Sequence, residues 1–291
     1  MSISAATKKQ ILGFQQGELN ESIIYERLAK LAPKGINAET MVKLGNQEKQ
    51  HYLIWKKYTE TELTPNWFKI NWYLFTAKVL GYTFAIKRME NGEENAQVNY
   101  EKLFAECPEA KQVIEDENKH EQALIGLIDE ERLKYVGSMV LGMNDALVEL
   151  TGTLAGLTLA MQNTRLIALS GLITGISATL SMASSEYLSS KSEGKSDCLK
   201  SSIYTGITYL VTVVLEIIPF LVFAPEHYLY ALGSLIIIVI LIIAMFSYYI
   251  SVVQDIKFST RFGEMATISL SVAALSFIIG LLVKKFLGVD I

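Results

Sequence analysis

Long apolar runs are confined to the second half of this 291-residue chain, and this segregation constrains the fold more than any other feature. Residues 1–135 hold 18 of the 26 Lys and Arg residues, whereas the chain is mostly apolar from Val136 onward. A helix needs about 20 consecutive apolar residues to cross a bilayer core. The sequence therefore predicts two domains, residues 1–132 and 133–291, that fold in different solvents.

Five apolar runs in the second half reach the length of a membrane-spanning helix. They cover residues 136–161, 166–190, 201–223, 228–250 and 264–286. Five spans place most basic loop residues on one side of the membrane, which the positive-inside rule makes cytosolic. These residues are Arg132, Lys134, Lys191, Lys195, Lys200, Lys257 and Arg261. Residues 1–22 lack the apolar core of a signal peptide, so we expect a cytosolic N-terminus and an external C-terminus.

Carboxylates inside the predicted spans are the candidate transport groups. Asp145 and Glu149 lie four residues apart on one helix face, as do Met182 and Glu186. A carboxylate in hydrocarbon costs about 2.5–3.5 kcal/mol, so it normally faces a cavity or a partner. Carboxylates with a thioether suit a transition-metal cation. Alternatively, Glu186 snorkels to the interface and Met182 is core packing. Glu216 is a further acid, in the third span.

Close helix contacts are predicted where glycines recur at a spacing of four residues. Gly152 with Gly156 and Gly171 with Gly175 form two GxxxG patterns, which let helix backbones approach closely in lipid.

The first half contains an internal repeat. Residues 17–33, GELNESIIYERLAKLAP, match residues 92–108, GEENAQVNYEKLFAECP, at their Gly, first Glu, Tyr, Glu and Pro. An ExxH motif follows each copy, as Glu48–His51 and Glu117–His120. The order of a Glu-bearing helix and an ExxH helix therefore occurs twice.

The repeat predicts a two-metal site. Residues i and i+3 share a helix face, so the Glu and His of each ExxH motif can bind one metal ion together. Four inward helices then supply four carboxylates and two imidazoles, which is the ligand set of di-iron and di-manganese carboxylate bundles. The predicted ligands are Glu18, Glu48, His51, Glu93, Glu117 and His120. The alternative is a duplicated bundle that has lost its metal.

The acids near these motifs are given simpler roles. Glu21 and Glu26 are expected to face solvent, and Tyr25 to lie in the core or beside the ligands. The net charge of −4 argues against nucleic acid as a partner. The two cysteines, Cys107 and Cys198, lie far apart and predict neither a disulfide framework nor a thiolate metal site.

Residues 66–88 join the two copies of the repeat and are rich in aromatic residues. Lys69, Lys78 and Lys87 interrupt the segment, which argues against a membrane span. It either crosses over the bundle or lies along the membrane surface. Trp67, Trp72 and Tyr73 favour the membrane surface, because such side chains suit an interface.

Residues 10 to about 130 resemble the rubrerythrin branch of the ferritin-like superfamily, through Glu18, Glu93 and the two ExxH pairs. The resemblance implies a four-helix bundle with a di-iron centre, or a mixed or di-manganese one. The rubredoxin-type cysteines of full rubrerythrins are missing from this sequence, which argues against an electron-transfer peroxidase role.

Residues 136–291 resemble the vacuolar iron transporter family, through NDALVELTGTLAGL and SATLSMASSEYLSSKSE. That family has five spans, forms dimers and exports Fe2+ or Mn2+ from the cytosol in exchange for protons. Asp145 and Met182 match its pathway residues. Plant-type members carry a long Glu-rich extension between spans two and three, whereas this connection is only KSEGKSDCLK. Together, the two halves resemble membrane-bound ferritin-like proteins.

We therefore expect an all-α protein, with a ferritin-like four-helix bundle followed by a five-helix transmembrane domain. It would sit in a prokaryotic inner membrane as a homodimer and export Fe2+ or Mn2+ in exchange for protons. The expected pathway residues are Asp145, Glu149, Met182 and Glu186. One rival is a membrane-anchored ferroxidase or peroxide scavenger, and another is a regulator whose bundle gates transport. The sequence assigns no catalytic residue.

Overall fold

The computed structural model describes residues 3–31, 35–89, 104, 106–113, 115–117, 120 and 134–287. All regular structure in these ranges is helical, which confirms the all-α class. The chain divides into two compact units, Met1–Glu130 and Glu131–Ile291, and each unit is described by itself.

The first unit is built on two long helices, α1 (Ala5–Leu31) and α2 (Ile36–Thr59). They approach closely at Gly45, where an added Cβ would lie 3.1 Å from the Ser22 carbonyl oxygen. A third helix, α3 (Trp67–Leu80), starts at Asn66, whose side chain accepts a hydrogen bond from the Lys69 amide. Residues 82–89, 110–113 and 115–117 are also helical.

Two apolar clusters hold this unit together. One is formed by α1, α2, α3 and residues 82–89, and includes Ile24, Leu28, Leu44, Ile70 and Ile86. The other joins Ile11 of α1 and Trp55 of α2 to Cys107, Ala110 and Val113. Along both α1 and α2, the segment between the two clusters carries the predicted metal ligands, so apolar packing on either side fixes their positions.

The second unit contains five long helices in the described part of the chain. They are α4 (Val136–Met161), α5 (Thr164–Ser192), α6 (Cys198–Val222), α7 (Tyr228–Gln254) and α8 (Phe258–Leu287). Four are long and apolar enough to cross a membrane, namely α5, α6, α7 and residues Phe258–Leu282 of α8. The protein is therefore an integral membrane protein.

Helix α4 matches the first predicted span in its bounds but is not one of these four helices. It carries Asn144, Asp145 and Glu149 in its middle, and these residues interrupt the apolar stretch that a membrane span requires. The residues Ala146, Leu147, Leu150 and Leu154 are nearly or completely inaccessible to solvent and belong to the core of this unit. Helix α4 therefore packs its apolar residues into the core although polar residues interrupt its sequence.

Glycines bring α4 into backbone contact with its neighbours. A Cβ added at Gly280 of α8 would lie 2.5 Å from the Gly156 carbonyl oxygen, and one at Gly152 would lie 2.9 Å from the Ser276 hydroxyl oxygen. A Cβ at Gly175 of α5 would lie 2.5 Å from a methyl group of Val213 in α6. The close contacts predicted from the GxxxG patterns are confirmed at these positions.

The tightest contact is at Gly142, which sequence analysis did not single out. A Cβ added there would overlap the carbonyl oxygen of Thr205 in α6. Thr205 in turn donates a side-chain hydrogen bond to the Ser138 carbonyl oxygen at 3.1 Å. Helices α4 and α6 are therefore joined backbone to backbone near their first turns.

Gly142→Ala should destabilise the membrane unit, because the added methyl group meets rigid backbone rather than a flexible side chain. Overpacking of this kind costs about 1–3 kcal/mol. The measurement is the thermal unfolding midpoint of the full-length protein in detergent.

Gly137→Ala is the matched control on the same helix, because nothing lies within 4 Å of its added Cβ. Alanine favours a helix over glycine by about 1 kcal/mol or less, so this midpoint should stay level or rise. Equal midpoints for the two variants would contradict the close α4–α6 contact.

Candidate metal centre and membrane carboxylates

Four predicted ligands meet in the first unit. Glu18 comes from α1, Glu48 and His51 come from α2, and Glu117 comes from the helical residues 115–117. One ligand atom of each lies within 4.8 Å of the others, and all four side chains are buried. His120 is buried as well, with its Nδ1 3.0 Å from Glu48 Oε1. Glu93, the sixth predicted ligand, lies outside the described residues.

The two ExxH motifs are interleaved. Glu48 has Oε2 3.3 Å from Nδ1 of its own His51 and Oε1 3.0 Å from Nδ1 of His120. Glu117 has Oε2 3.6 Å from its own His120 and Oε1 2.9 Å from His51. Each carboxylate thus reaches both imidazoles, as expected of two carboxylates that bridge a pair of metal ions.

These polar atoms lie close together without all forming hydrogen bonds with one another. Although these atoms lie at the short distances given above, Glu18 Oε2, Glu48 Oε2, Glu117 Oε2 and the Nδ1 atoms of both histidines make no hydrogen bond of acceptable angle in the described part of the chain. Buried polar atoms are normally paired, and exceptions require an explanation such as an ion. The donors are carboxylate oxygen and imidazole nitrogen, which suit iron and manganese. The site therefore fits a metal centre.

Sequence analysis missed two residues that lie beside these ligands. Trp55 Nε1 donates a hydrogen bond to Glu18 Oε1 at 3.1 Å, and Trp55 lies one helical turn after His51. Asp116 Oδ2 lies 3.8 Å from His51 Nε2, near the imidazole but beyond hydrogen-bond distance. A hydrogen bond such as that from Trp55 fixes the orientation of a ligating carboxylate. The sequence signal for Trp55 was its position four residues after His51, which places both side chains on one face of α2.

The expected exposure of nearby acids was right for Glu26 and wrong for Glu21. Glu26 is exposed and pairs with Lys30 at 2.8 Å. Glu21 is buried, with its Oε1 3.6 Å from Lys69 Nζ of α3. The prediction failed because α3 packs over this part of α1. Tyr25 lies in the core, as expected.

Crowding of carboxylates and imidazoles shifts their proton affinities. Burial raises the pKa of Glu18 well above its usual range, and the nearby charges of Glu48 and Glu117 act in the same direction. Burial alone would also raise the pKa of Glu48, but His120 and His51 lower it to about 2. For His120, Glu117 and Glu48 outweigh burial and raise the pKa to about 9. The neighbouring carboxylates therefore favour the protonated form of the His120 imidazole in the metal-free site.

Two of the predicted pathway residues of the second unit, Glu149 and Glu186, accept hydrogen bonds from neighbouring helices. Glu149 Oε2 of α4 accepts a hydrogen bond from the Tyr209 hydroxyl of α6 at 3.0 Å. Glu186 Oε1 of α5 accepts hydrogen bonds from Ser138 of α4 and Ser190, both at 3.1 Å. Asp145 is half-buried on α4, and Met182 packs against the core cluster of this unit.

Glu216 is the most deeply buried acid of this unit in the described residues. It is completely inaccessible to solvent, and its Oε2 accepts a hydrogen bond from Thr151 Oγ1 at 3.1 Å. Its Oε1 has no hydrogen-bond partner among the described residues. Sequence analysis noted this acid but gave it no role.

A cavity of about 450 Å³ opens at the Glu186 end of α5. Its lining is mixed in charge and rich in hydroxyl groups, and includes Lys134, Ser138, Glu186, Lys195, Asp197 and Ser201. Ser138 and Ser201 are 3.0 Å apart through their hydroxyl oxygens. The cavity places the Glu186 carboxylate within reach of solvent.

A model of the VIT family matches residues 136–197. The matched segment spans α4, α5 and the connection after them, and so contains Asp145, Glu149, Met182 and Glu186. Together with the four membrane-capable helices, the VIT match supports a membrane domain of the vacuolar iron transporter type and a metal-ion transporter. Searches of curated proteins and of solved structures gave no match.

Glu48→Gln combined with Glu117→Gln should prevent metal binding in the first unit, because two of the candidate ligands lose their charge. Helix content should persist, since apolar packing supplies most of a bundle's stability. The measurement is elemental analysis of full-length protein after metal loading, with circular dichroism.

The control is Glu26→Gln, which changes an exposed acid on the same helix as Glu18. It should leave the metal content unchanged. An unaltered metal content in the double variant would refute the ligand assignment.

Metal binding at this centre should weaken as the pH falls, because protons compete for the imidazoles. Ligands must be deprotonated to bind, so binding should release protons below about pH 9, where metal-free His120 is charged. Release from His120 should end as the pH rises above that value. The measurement is calorimetry of Mn2+ binding in buffers of different ionisation enthalpy.

The double variant Glu48→Gln, Glu117→Gln provides the blank, since it reports any binding elsewhere in the chain. If the binding enthalpy of the wild type, after subtraction of this blank, did not change with the buffer, the imidazoles would be neutral before metal binds.

Proposed function

We propose that this protein exports Fe2+, and also Mn2+, from the cytosol through its membrane unit, in exchange for protons. The observation that carries the proposal is the placement of Asp145, Glu149, Met182 and Glu186 on α4 and α5, within the segment that matches the VIT family. A divalent cation that enters a membrane loses hydration, and fixed anionic ligands can compensate for that loss.

The cavity at Glu186 is the proposed cytosolic mouth of the pathway. The basic residues Lys134 and Lys195 line it, and the positive-inside rule assigns such an end to the cytosol. This assignment puts the N-terminus in the cytosol and the C-terminus outside. Ser138 and Ser201 mark the level of the mouth on α4 and α6, since both line the cavity.

Helix geometry arranges the candidate ligands in order of depth from this mouth. At 1.5 Å per residue, Met182 lies about 6 Å beyond Glu186 along α5, and Asp145 about 10 Å beyond Ser138 along α4. Glu149 follows at about 16 Å. Glu216 lies about 22 Å beyond Ser201, and its partner Thr151 about 20 Å beyond Ser138, which agrees with their hydrogen bond. Acidic groups therefore recur across most of a hydrocarbon core about 30 Å thick.

Proton exchange follows from the same carboxylates. A carboxylate in a low-dielectric setting binds either a proton or a cation, so metal leaving one side can be replaced by a proton from the other. Glu149 with its Tyr209 partner and Glu216 with Thr151 are the groups that we propose to exchange protons for metal.

The first unit is proposed to collect metal for export. Glu18, Glu48, His51, Glu117 and His120 would hold two iron or manganese ions, with Glu93 as the sixth ligand. When bound, iron would give this centre a capacity for one-electron oxidation and reduction. We also propose a ferritin-like four-helix bundle for residues 1–132, a five-span membrane domain for 133–291, with α4 as the fifth span, and a homodimer.

A membrane-anchored ferroxidase is the rival, and the buried two-histidine cluster is the observation that favours it. An enzyme that uses its membrane helices only as an anchor has no need of Asp145, Glu149 and Glu216 inside them. For such an enzyme, replacing these acids would leave the activity of the first unit intact, and there would be no metal flux for the replacement to change. A gate in the first unit is the third reading, and it predicts that emptying the centre changes the flux.

Asp145→Asn should stop metal flux while leaving the centre of the first unit loaded. The amide keeps the side-chain shape but supplies neither a charge for the cation nor a proton for exchange. The measurement is Fe2+ and Mn2+ flux in proteoliposomes under an imposed pH gradient, with folding checked by size-exclusion chromatography.

Glu226→Gln is the control, because Glu226 is an exposed acid in the loop between α6 and α7. Its flux should equal that of the wild type. A well-folded Asp145→Asn protein that moves metal at the wild-type rate would remove α4 from the pathway and favour the anchored enzyme.

A further inference from the structure

Helix α3 presents an exposed aromatic face that the proposed transport function does not use. Phe68, Trp72 and Phe75 are 83%, 58% and 58% exposed. They are spaced by four and three residues, so they lie within a sector of about 60° of the helix. Ile70 and Ala77 point to the opposite side and are buried in the core. These three residues are named the α3 aromatic face.

Basic residues flank this face on both sides. At about 100° per residue, Lys69 lies on one flank and Lys78 on the other. The sequence of α3, WFKINWYLFTAKVL, contains no Asp or Glu. The guanidinium of Arg27 from α1 adds a further positive charge over the ring of Trp67, at 5.0 Å from its centroid. The face is therefore an apolar aromatic strip with a basic rim, in which Lys69 also lies 3.6 Å from the Glu21 carboxylate of α1.

Such a strip is costly in water. Burial of apolar surface is worth about 25 cal/mol per Å², and three large exposed aromatic side chains on one short helix form a contiguous patch. Trp67 and Val79, which are also exposed, lie on α3 as well, whereas the other large exposed hydrophobic residues described in this unit, Leu31, Val42, Leu53 and Phe104, lie apart from one another along the chain. The α3 aromatic face is thus suited to contact with an apolar partner.

We propose that the α3 aromatic face inserts into the boundary between the lipid headgroups and the acyl chains of the membrane that holds this protein. Four helices of the same chain cross a bilayer, so a lipid surface is always within the reach of the first unit. Trp and Phe bury their rings at this depth, while Lys and Arg at the rim meet anionic headgroups. A second copy of α3 fits less well, because it would oppose Lys to Lys with no acid on the helix to pair with either.

The chain carries its own reporters for this contact. It contains three tryptophans, Trp55, Trp67 and Trp72, all in the first unit. Trp55 is completely buried, Trp72 lies on the α3 aromatic face, and Trp67 lies on its flank. Bromine atoms on lipid acyl chains quench tryptophan on contact, whereas acrylamide quenches tryptophan that is open to water.

The test uses full-length protein in liposomes with lipids brominated either near the headgroup or near the end of the acyl chain. Shallow bromine should quench emission more than deep bromine, and acrylamide should quench little. Trp72→Phe should remove most of the bromine effect, because it deletes the reporter on the face but keeps an aromatic ring. Trp67→Phe is the matched control and should retain it.

A second pair of variants tests the contact itself. Phe68→Asp with Phe75→Asp should abolish quenching by brominated lipid and make Trp72 accessible to acrylamide. Both sites are exposed, so the change leaves the core intact. Leu53→Asp on α2 is the control, because it puts a charge on another exposed apolar site and should keep the lipid contact.

Two outcomes would overturn the proposal. Acrylamide quenching of wild-type Trp72 without quenching by brominated lipid would show that the face is open to water. Protection from both quenchers would show that protein covers it, as in a contact with a second copy. Neither outcome depends on whether the membrane unit transports metal.

Discussion

Every distinctive feature of this protein follows from the cost of burying carboxylates away from water. An ionised acid in a low-dielectric interior requires a cation, a proton or several hydrogen bonds. In the first unit, Glu18, Glu48 and Glu117 crowd around two imidazoles and still leave oxygens without partners among the described residues. In the second unit, Glu216 has a single hydroxyl partner in that part of the chain. Both units thus bury carboxylate oxygens that have no hydrogen-bond partner among the described residues.

Packing is what makes this arrangement possible. Helices α1 and α2 are clamped by an apolar cluster on each side of the metal ligands, so the acids cannot separate to relieve their repulsion. In the membrane unit, glycines bring helices so close that α4, which carries Asp145 and Glu149, packs tightly against α5, α6 and α8. Rigid apolar packing therefore holds these polar groups closer together than their mutual repulsion would allow in water.

The clustering of Glu18, Glu48, His51 and Glu117 was predictable, because helix periodicity puts the Glu and His of an ExxH motif on one face and the repeat indicates that two such faces meet. Their supporting residues were not predictable in the same way. Trp55 and Asp116 act across helices, and a contact between helices depends on tertiary packing that no local spacing encodes. Glu21 was misjudged for the same reason, since α3 covers it.

In the membrane unit, length and hydropathy predicted all five helices, and four of them are apolar enough to span a bilayer. The exception is α4. Its acids are the candidate transport groups, and the same acids lower its hydropathy below that of the other four helices' apolar stretches. Gly142 was overlooked because an isolated glycine has no motif, although it makes the tightest backbone contact of all. A close approach depends on the residues of both helices, and the sequence of one helix contains only one side of the contact.

The hydrogen bonds of Glu186 have a mechanical consequence at the mouth of the membrane unit. Ser138 and Ser190 both donate to Oε1 of Glu186, and the Ser138 bond ties α5 to α4. A cation that takes Oε1 as a ligand displaces these hydroxyl groups, and each such bond is worth only about 0.5–1.5 kcal/mol. Deeper in the unit, Gly171 and Gly175 lock α5 against Leu154 and Val213. Helix α5 is therefore joined to α4 by one weak hydrogen bond at Glu186 and by close packing at Gly171, so its Glu186 end is the easier of the two to separate from α4.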